Sequence, residues 1–302
     1  MVRRWTKSIP LRCLAQTLVV YGLLLVLAGG CGGGGGNRVQ GESPIRPIAP
    51  PGEETVRTLF PLTQGLRRTY TTSHNARMTV DGRVYEKTET GTATSTIAGT
   101  QGAPFPVETV IDEWHEREQW TAKENGTQRE GTSESWVRHF WTNQGGEVRG
   151  WGQQSRSGAD WGDIVRYDPP LLLLKAGETS WDAGSVLFSV DLPIPGRNIK
   201  VIIAPRGSAR LRGQQSVTVP AGTFNCYRLE AELRDLRVIT HSPGVEVTRC
   251  QGSLLVTIWL ASGRGQVKLD LQASVSLEVR DLASGNIIRV SLTSSSTESL
   301  RE

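Results

Sequence analysis

The densest run of reactive side chains is Asp112-Glu113-Trp114-His115-Glu116-Arg117-Glu118-Gln119-Trp120. Side chains alternate between faces along an extended strand, so Trp114, Glu116, Glu118 and Trp120 share one face. Carboxylates two residues apart then lie about 6.6 Å apart along the strand, near the ~6.5–9.5 Å that separates acid and base in inverting glycosidases. Catalytic carboxylates flank a glycosidic bond from both sides, however, and two on one strand do not readily do so. The expectation is a solvated or cavity-lining strand with these four residues facing a ligand, and a glycan-acting hydrolase is the alternative. No Gly-x-Ser-x-Gly elbow, His-Glu-x-x-His, phosphate loop or Cys-x-x-Cys occurs. His74, His115, His139 and His241 lack metal-ligand spacing, so neither a metal nor a cofactor is expected. Trp114, Trp120, Trp136, Trp141, Trp151 and Trp161 make the middle of the chain aromatic. They are read as core packing, with an aromatic-walled cavity or platform for a glycan or lipid as the other reading.

The elements that must position these groups are strands. Asn125-Gly126 favours the positive φ of a two-residue type I′ hairpin. That loop puts Glu124 opposite Thr127, and hence Glu113 opposite Arg138, Arg117 opposite Glu134 and His115 opposite Trp136. Each of the two opposite-charge pairs would contribute ~0.2–1 kcal/mol. Asp81-Gly82 carries the same signal. Over residues 265–280, Val267, Leu269, Leu271, Ala273, Val275, Leu277 and Val279 alternate with polar residues, which means one buried and one wet face. Tyr227, Leu229, Ala231 and Leu233 alternate likewise, Ser242-Pro243-Gly244 turns the chain into a strand at 245–260, and a last strand is expected at 287–292. From Arg57 onward helical periodicity is nearly absent. The fold class is therefore all-β: an antiparallel, strongly curved sheet forming a barrel or half-barrel, which leaves few exposed edges. Residues 59–65 (LFPLTQG) and 171–177 (LLLLKAG) echo one another and lead towards Tyr70 and Trp181, hinting at two related halves.

The other chemically distinctive residue is Cys31. Arg3, Arg4, Lys7 and Arg12 precede an apolar run over residues 13–27, followed by Ala28-Gly29-Gly30-Cys31. A basic start, a short apolar stretch and small residues at the cut site define a secretory leader, and this run falls short of the ~20 residues that span a bilayer. The ending resembles a bacterial lipoprotein signal. That resemblance implies that residues 1–30 are removed and that Cys31 becomes an N-terminus carrying diacylglyceryl and an added acyl chain such as palmitate. Two or three chains, at roughly 0.8 kcal/mol per buried CH₂, hold firmly. Gly32 rather than Asp after the cysteine favours the outer membrane, on its periplasmic face, in a host with two membranes.

Losing the leader also removes the apparent basicity. The whole chain has 34 Lys and Arg against 30 Asp and Glu, and the four basic residues named above all lie in the leader. A mature chain would be formally neutral, without the basic excess of a nucleic-acid binder. Residues 31–56, with five consecutive glycines and then Pro44, Pro47, Pro50 and Pro51, are read as the lipidated end and a flexible spacer of about 25–30 Å. The β-domain is expected over 57–302. Cys226 and Cys250 are left as a disulfide pair or as two free thiols. A symmetric hairpin about Ser242-Pro243 argues against the pair, because it places Cys226 opposite Trp259.

Val217-Thr218-Val219-Pro220-Ala221-Gly222-Thr223-Phe224-Asn225-Cys226 resembles a group of exported bacterial proteins with a "VPAGTF" turn. Phe60-Pro61-Leu62…Gly65 matches the group's opening segment, and Trp259-Leu260-Ala261…Gly263-Arg264-Gly265-Gln266-Val267-Lys268 matches its Trp-x-Ala and Gly-x-Gly-x-Val-Lys segments. The resemblance is best over residues 217–270; Ser262 stands where the group often has Pro. It implies an antiparallel barrel or half-barrel akin to lipoprotein carriers, and it assigns no catalytic residue. The expected function is a non-enzymatic, lipid-anchored envelope protein that binds an apolar or amphipathic ligand, a glycan or an envelope protein. A structural or assembly role is the second reading and a glycoside hydrolase the third.

Overall fold

Period-two alternation builds nearly all of the molecule. The computed structural model describes residues 43–101, 105–124, 126–157, 159–185, 188–194, 197–241 and 243–302. The leader, Cys31, the glycine run, Asn125 and Ser242 lie outside the described residues. One short helix, α1 (Glu53–Leu59), precedes β1 (Arg67–Val80), β2 (Arg83–Gln101), β3 (Thr109–Glu124), β4 (Thr127–Gln144), β5 (Glu147–Ser157), β6 (Asp160–Trp161) and β7 (Val165–Lys175). Then follow β8 (Ser180–Ser185), β9 (Phe188–Ile194), β10 (Arg197–Val219), β11 (Gly222–His241), β12 (Val245–Ala261), β13 (Gly265–Asp281) and β14 (Ile287–Leu300).

All pairings are antiparallel within one curved sheet of 14 strands, ordered β6-β5-β4-β3-β2-β1-β14-β13-β12-β11-β10-β8, with β7 on β5 and β9 on β10. The pairing of β1 with β14 joins the first and last strands in the middle of the sheet. Its free flanks meet where β7 turns into β8, and there the Trp181 indole donates to the Leu172 carbonyl at 3.0 Å. No ladder is described between β7 and β8, so the sheet is curved but not closed.

The tight turns behave as their residues require. Asp81 and Gly82 have φ of +46° and +81°, and Val80 faces Arg83, as a type I′ hairpin demands. In the VPAGTF segment Val219 faces Gly222, which leaves Pro220-Ala221 as a two-residue turn. Pro220 presets its own φ there, as a turn's first central residue needs. One face of the sheet is the core: Tyr70, Ala93, Trp114, Leu211, Leu229, Val256, Ile258 and Leu269 are all buried.

Order begins earlier than the spacer reading places it. Arg46 pairs with Gln214 in an isolated bridge, and α1 buries Val56 and Leu59 completely. Phe60 tilts onto Trp141 with centroids 5.0 Å apart. Residues 43–59 are thus held by the domain, and strand structure starts at Arg67, not Arg57. A helix this short shows little periodicity, and its N-cap Gly52 supplies no capping side chain. The two echoing segments share a left-handed closing glycine, Gly65 and Gly177. They differ before it, for Leu59 ends α1 whereas Leu171 lies in β7.

Candidate functional site

The β3–β4 hairpin has the register expected from its turn: Glu124 faces Thr127, Arg117 faces Glu134, His115 faces Trp136 and Glu113 faces Arg138. On the outer face Arg138 Nε donates to Glu113 at 2.6 Å, and Arg117 Nε donates to Glu134 at 3.1 Å. His115 Nε2 lies 2.6 Å from the same Glu134 carboxylate. Its ring stacks on Trp136, with centroids 3.7 Å apart and planes 7° from parallel. These contacts knit the hairpin and neutralise its charges.

The opposite face carries the other four candidates. Trp114 is buried and stacks on Tyr70 of β1, centroids 5.3 Å apart. Trp120 is only half-buried and lies over Gly131, where a Cβ would come within 2.6 Å of the indole. Glu116 is buried between them and Glu118 partly so. The fold brings further ionisable groups to this pair. Glu89 and Lys87 arrive from β2, forming an ion pair whose side chains are 7% and 2% exposed. Glu298 arrives from β14 and accepts from Gln266 Nε2 at 2.5 Å. Glu116 and Glu118 share a hydrogen bond, Glu118 also meets Glu89, and Thr72 Oγ1 lies 3.5 Å from Glu118.

Charge in this place is costly, because desolvation penalises the ionised form and neighbouring carboxylates add repulsion. Burial first, then the charge of Glu89, pushes Glu118 up to about 7. Burial, with Glu118 and Glu298 nearby, holds Glu116 well above the ordinary carboxylate range. Burial likewise raises Glu298, against the opposing Gln266 hydrogen bond. His74 on β1 sits opposite Glu89 and Ser296, and burial lowers its pKa. Deeper on the same face burial raises the Asp112 pKa even though Ser95 donates to it at 2.6 Å and Trp114 Nε1 at 3.0 Å. His139 is pushed down to about 3 by burial alone. The arrangement disfavours the ionised forms of Glu116, Glu118 and Glu298 beside the buried Lys87–Glu89 pair. Among the described residues no group of His, Cys, Asp and Glu has metal-binding geometry.

Sequence reasoning found Glu116 and Glu118 but missed Glu89, Lys87 and Glu298. A signal existed for the last: Ile288, Val290 and Leu292 have the same parity as Glu298, so a glutamate there points to the apolar side.

Cys226 and Cys250 are both free, which overturns the disulfide reading. Tyr227 faces Leu260, so Cys226 sits level with Ala261, about 36 Å along β12 from Cys250 at ~3.3 Å per residue. A bridge needs Cα atoms within about 7 Å. The expected pairing of Cys226 with Trp259 is off by two residues, since Arg228 faces Trp259; the β11–β12 hairpin is not symmetric about its turn. Burial pushes the Cys226 thiol up to about 12.

No family model matches the chain, and no curated protein matches it. Among solved structures it is similar to a Bacteroides fragilis protein described as exported and of YmcC-like fold, at 12% identity and a TM-score of 0.23, covering 80% of this chain and 97% of that one. It is also similar to a protein of Parabacteroides distasonis described as a lipoprotein, at 14% identity and a TM-score of 0.23, covering 81% and 97%. A third likeness, at 8% identity and a TM-score of 0.21, is to the transport unit of the autotransporter AIDA-I from Escherichia coli, covering 78% and 90%.

Proposed function

We propose that this chain is a lipid-anchored protein of the cell envelope that acts by binding a ligand or an envelope partner, not by catalysis. The observation that carries the anchoring is the leader ending in Gly29-Gly30-Cys31, whose apolar run is too short to span a bilayer. The cysteine is then the N-terminus of the mature protein, and Gly32 directs it to the outer membrane where the host has one. The binding role is supported by where the carboxylates lie. Hydrolysis of a glycoside needs an acid and a base on opposite sides of a bond, whereas Glu116 and Glu118 hydrogen-bond to each other on the inner face of one strand.

Fractionation of cells expressing Cys31→Ser tests the anchor. The variant is expected to accumulate unprocessed, without palmitate label. A membrane-bound, processed protein of unchanged mobility would sink the reading. Crosslinking in intact cells tests the binding role, with a stable envelope neighbour or ligand as the expected product.

A further inference from the structure

The side of the sheet turned away from the core divides into two chemistries. Across β10 and β11 it is a grid of ion pairs, including Arg212 with Glu230, Arg234 with Glu232 and Arg237 with Asp235. Across β14, β1 and β2 it changes to hydroxyls in register. Ser299, Thr71 and Thr92 form one row across the three strands, and Thr297, Ser73 and Thr90 form the next. Rows on one face lie two residues apart, about 6.7 Å, on strands about 4.8 Å apart.

Two troughs cross this face, and both run transverse to the strands. The first, of about 890 Å³, is walled on one side by Thr71, Thr92 and Arg117 and on the other by Thr90, Gln119 and Thr132. Its floor is the intervening row, which includes Gly91 and Glu118; by strand alternation those side chains belong to the inner face, so backbone is presented outward. The second trough, of about 640 Å³, repeats the plan four residues further along, with Asn75, Thr88 and Ser295 on one wall and Arg77 and Glu86 on the other. Arg117 in the first trough pairs with Glu134; in the second Arg77 pairs with Glu86, and Lys123 adds a further cation to the same wall. Leu255 is the one large aliphatic side chain lining either trough among the described residues.

From this geometry we infer that the outer face of β14–β1–β2 and the flanking β3 and β13 is a binding site for an uncharged, linear oligosaccharide laid across the strands. Each hydroxyl offers a donor and two acceptor lone pairs, and each amide offers both functions, so the walls match a polyhydroxylated chain on both sides. A lipid chain would find Leu255 as the one large aliphatic side chain in the two troughs, and an anionic polymer would find Arg117 and Arg77 already paired. The inference rests on the binding role proposed above and assigns it a surface and a ligand class.

The test is calorimetric titration of the purified full chain in detergent micelles with cellohexaose, maltohexaose and chitohexaose. At least one should bind, with an affinity unchanged between low and high salt. Thr90→Val with Thr92→Val removes two hydroxyls while keeping β-branched shape, and should weaken that binding roughly tenfold at unchanged thermal stability. The inference is overturned if no hexasaccharide binds more tightly than about 1 mM, if the double variant binds like the parent, or if affinity falls steeply with salt as an anionic ligand would require. Such a result leaves the envelope-binding role standing if crosslinking still captures a neighbour.

Discussion

Glu118 titrates near 4.5 when free but is pushed up to about 7 in the folded chain by burial and by Glu89. Between those values the folded chain binds more protons than the unfolded one, so stability falls as pH rises. Glu116 and Glu298 are shifted in the same direction and extend the effect upward. The contribution is fully present below the unfolded value and is lost as pH passes through the folded one. The thermal midpoint followed by circular dichroism should therefore drop between about pH 5 and pH 8, and Glu118→Gln should flatten that drop. A midpoint that rises over this interval would contradict the cluster as described. Lys87 is the cation that faces Glu118, and the Lys87–Glu89 pair is almost wholly buried. Removing one partner of such a pair leaves an uncompensated charge and costs about 3–5 kcal/mol. Lys87→Met should lower stability on that scale in urea titrations, and adding Glu89→Gln should recover much of the loss.

At the scale of elements, the β3–β4 hairpin is the best-determined part of the molecule. Its turn fixes the register, and the register fixes who meets whom on each face. Exchanging the partners of one pair tests this directly. Glu113→Arg alone and Arg138→Glu alone should each destabilise by roughly 0.2–1 kcal/mol, and the exchanged double variant should regain most of it. Additive losses in the double-mutant cycle would mean that the two side chains do not interact. The hairpin was legible because everything it needs lies within about thirty residues of sequence, and because alternation carries the register outward from the turn. α1 was not legible: seven residues give two turns, and its two buried side chains, Val56 and Leu59, do not establish a period. The β11–β12 hairpin misled for a related reason. β11 and β12 do pair, but the symmetric register suggested by the Ser242-Pro243 signal in the sequence is two residues out.

For the molecule as a whole, one pairing matters most. β1 meets β14 over eleven residue pairs, joining segments more than two hundred residues apart and placing Glu298 beside the β2 and β3 carboxylates. The same architecture separates the two described cysteines. If the leader is removed and Cys31 acylated as proposed, protein unfolded in guanidinium without reductant should therefore titrate two thiols, Cys226 and Cys250. A titration of none would require a bridge that this sheet does not allow. With the flanks meeting at β7 and β8 and α1 packed against the core, much of the inner face among the described residues is filled by the chain's own side chains, Tyr70, Trp114 and Trp141 among them.

The sequence by itself determined the class of fold, the register of the hairpin at β3–β4 and the buried side of β13 and of residues 227–234, because these follow from backbone alternation and from turns of two residues. It also placed Trp114, Glu116, Glu118 and Trp120 on one face. Only the tertiary structure decided that Glu116 and Glu118 share their surroundings with Glu89, Lys87 and Glu298, that Cys226 and Cys250 lie far apart, and that hydroxyls from three strands line up across the outer face. Desolvation and the repulsion between charges depend on distance in space, and distance in space depends on which strands adjoin. That neighbour relation is set by packing of the whole sheet, and no local stretch of the chain encodes it.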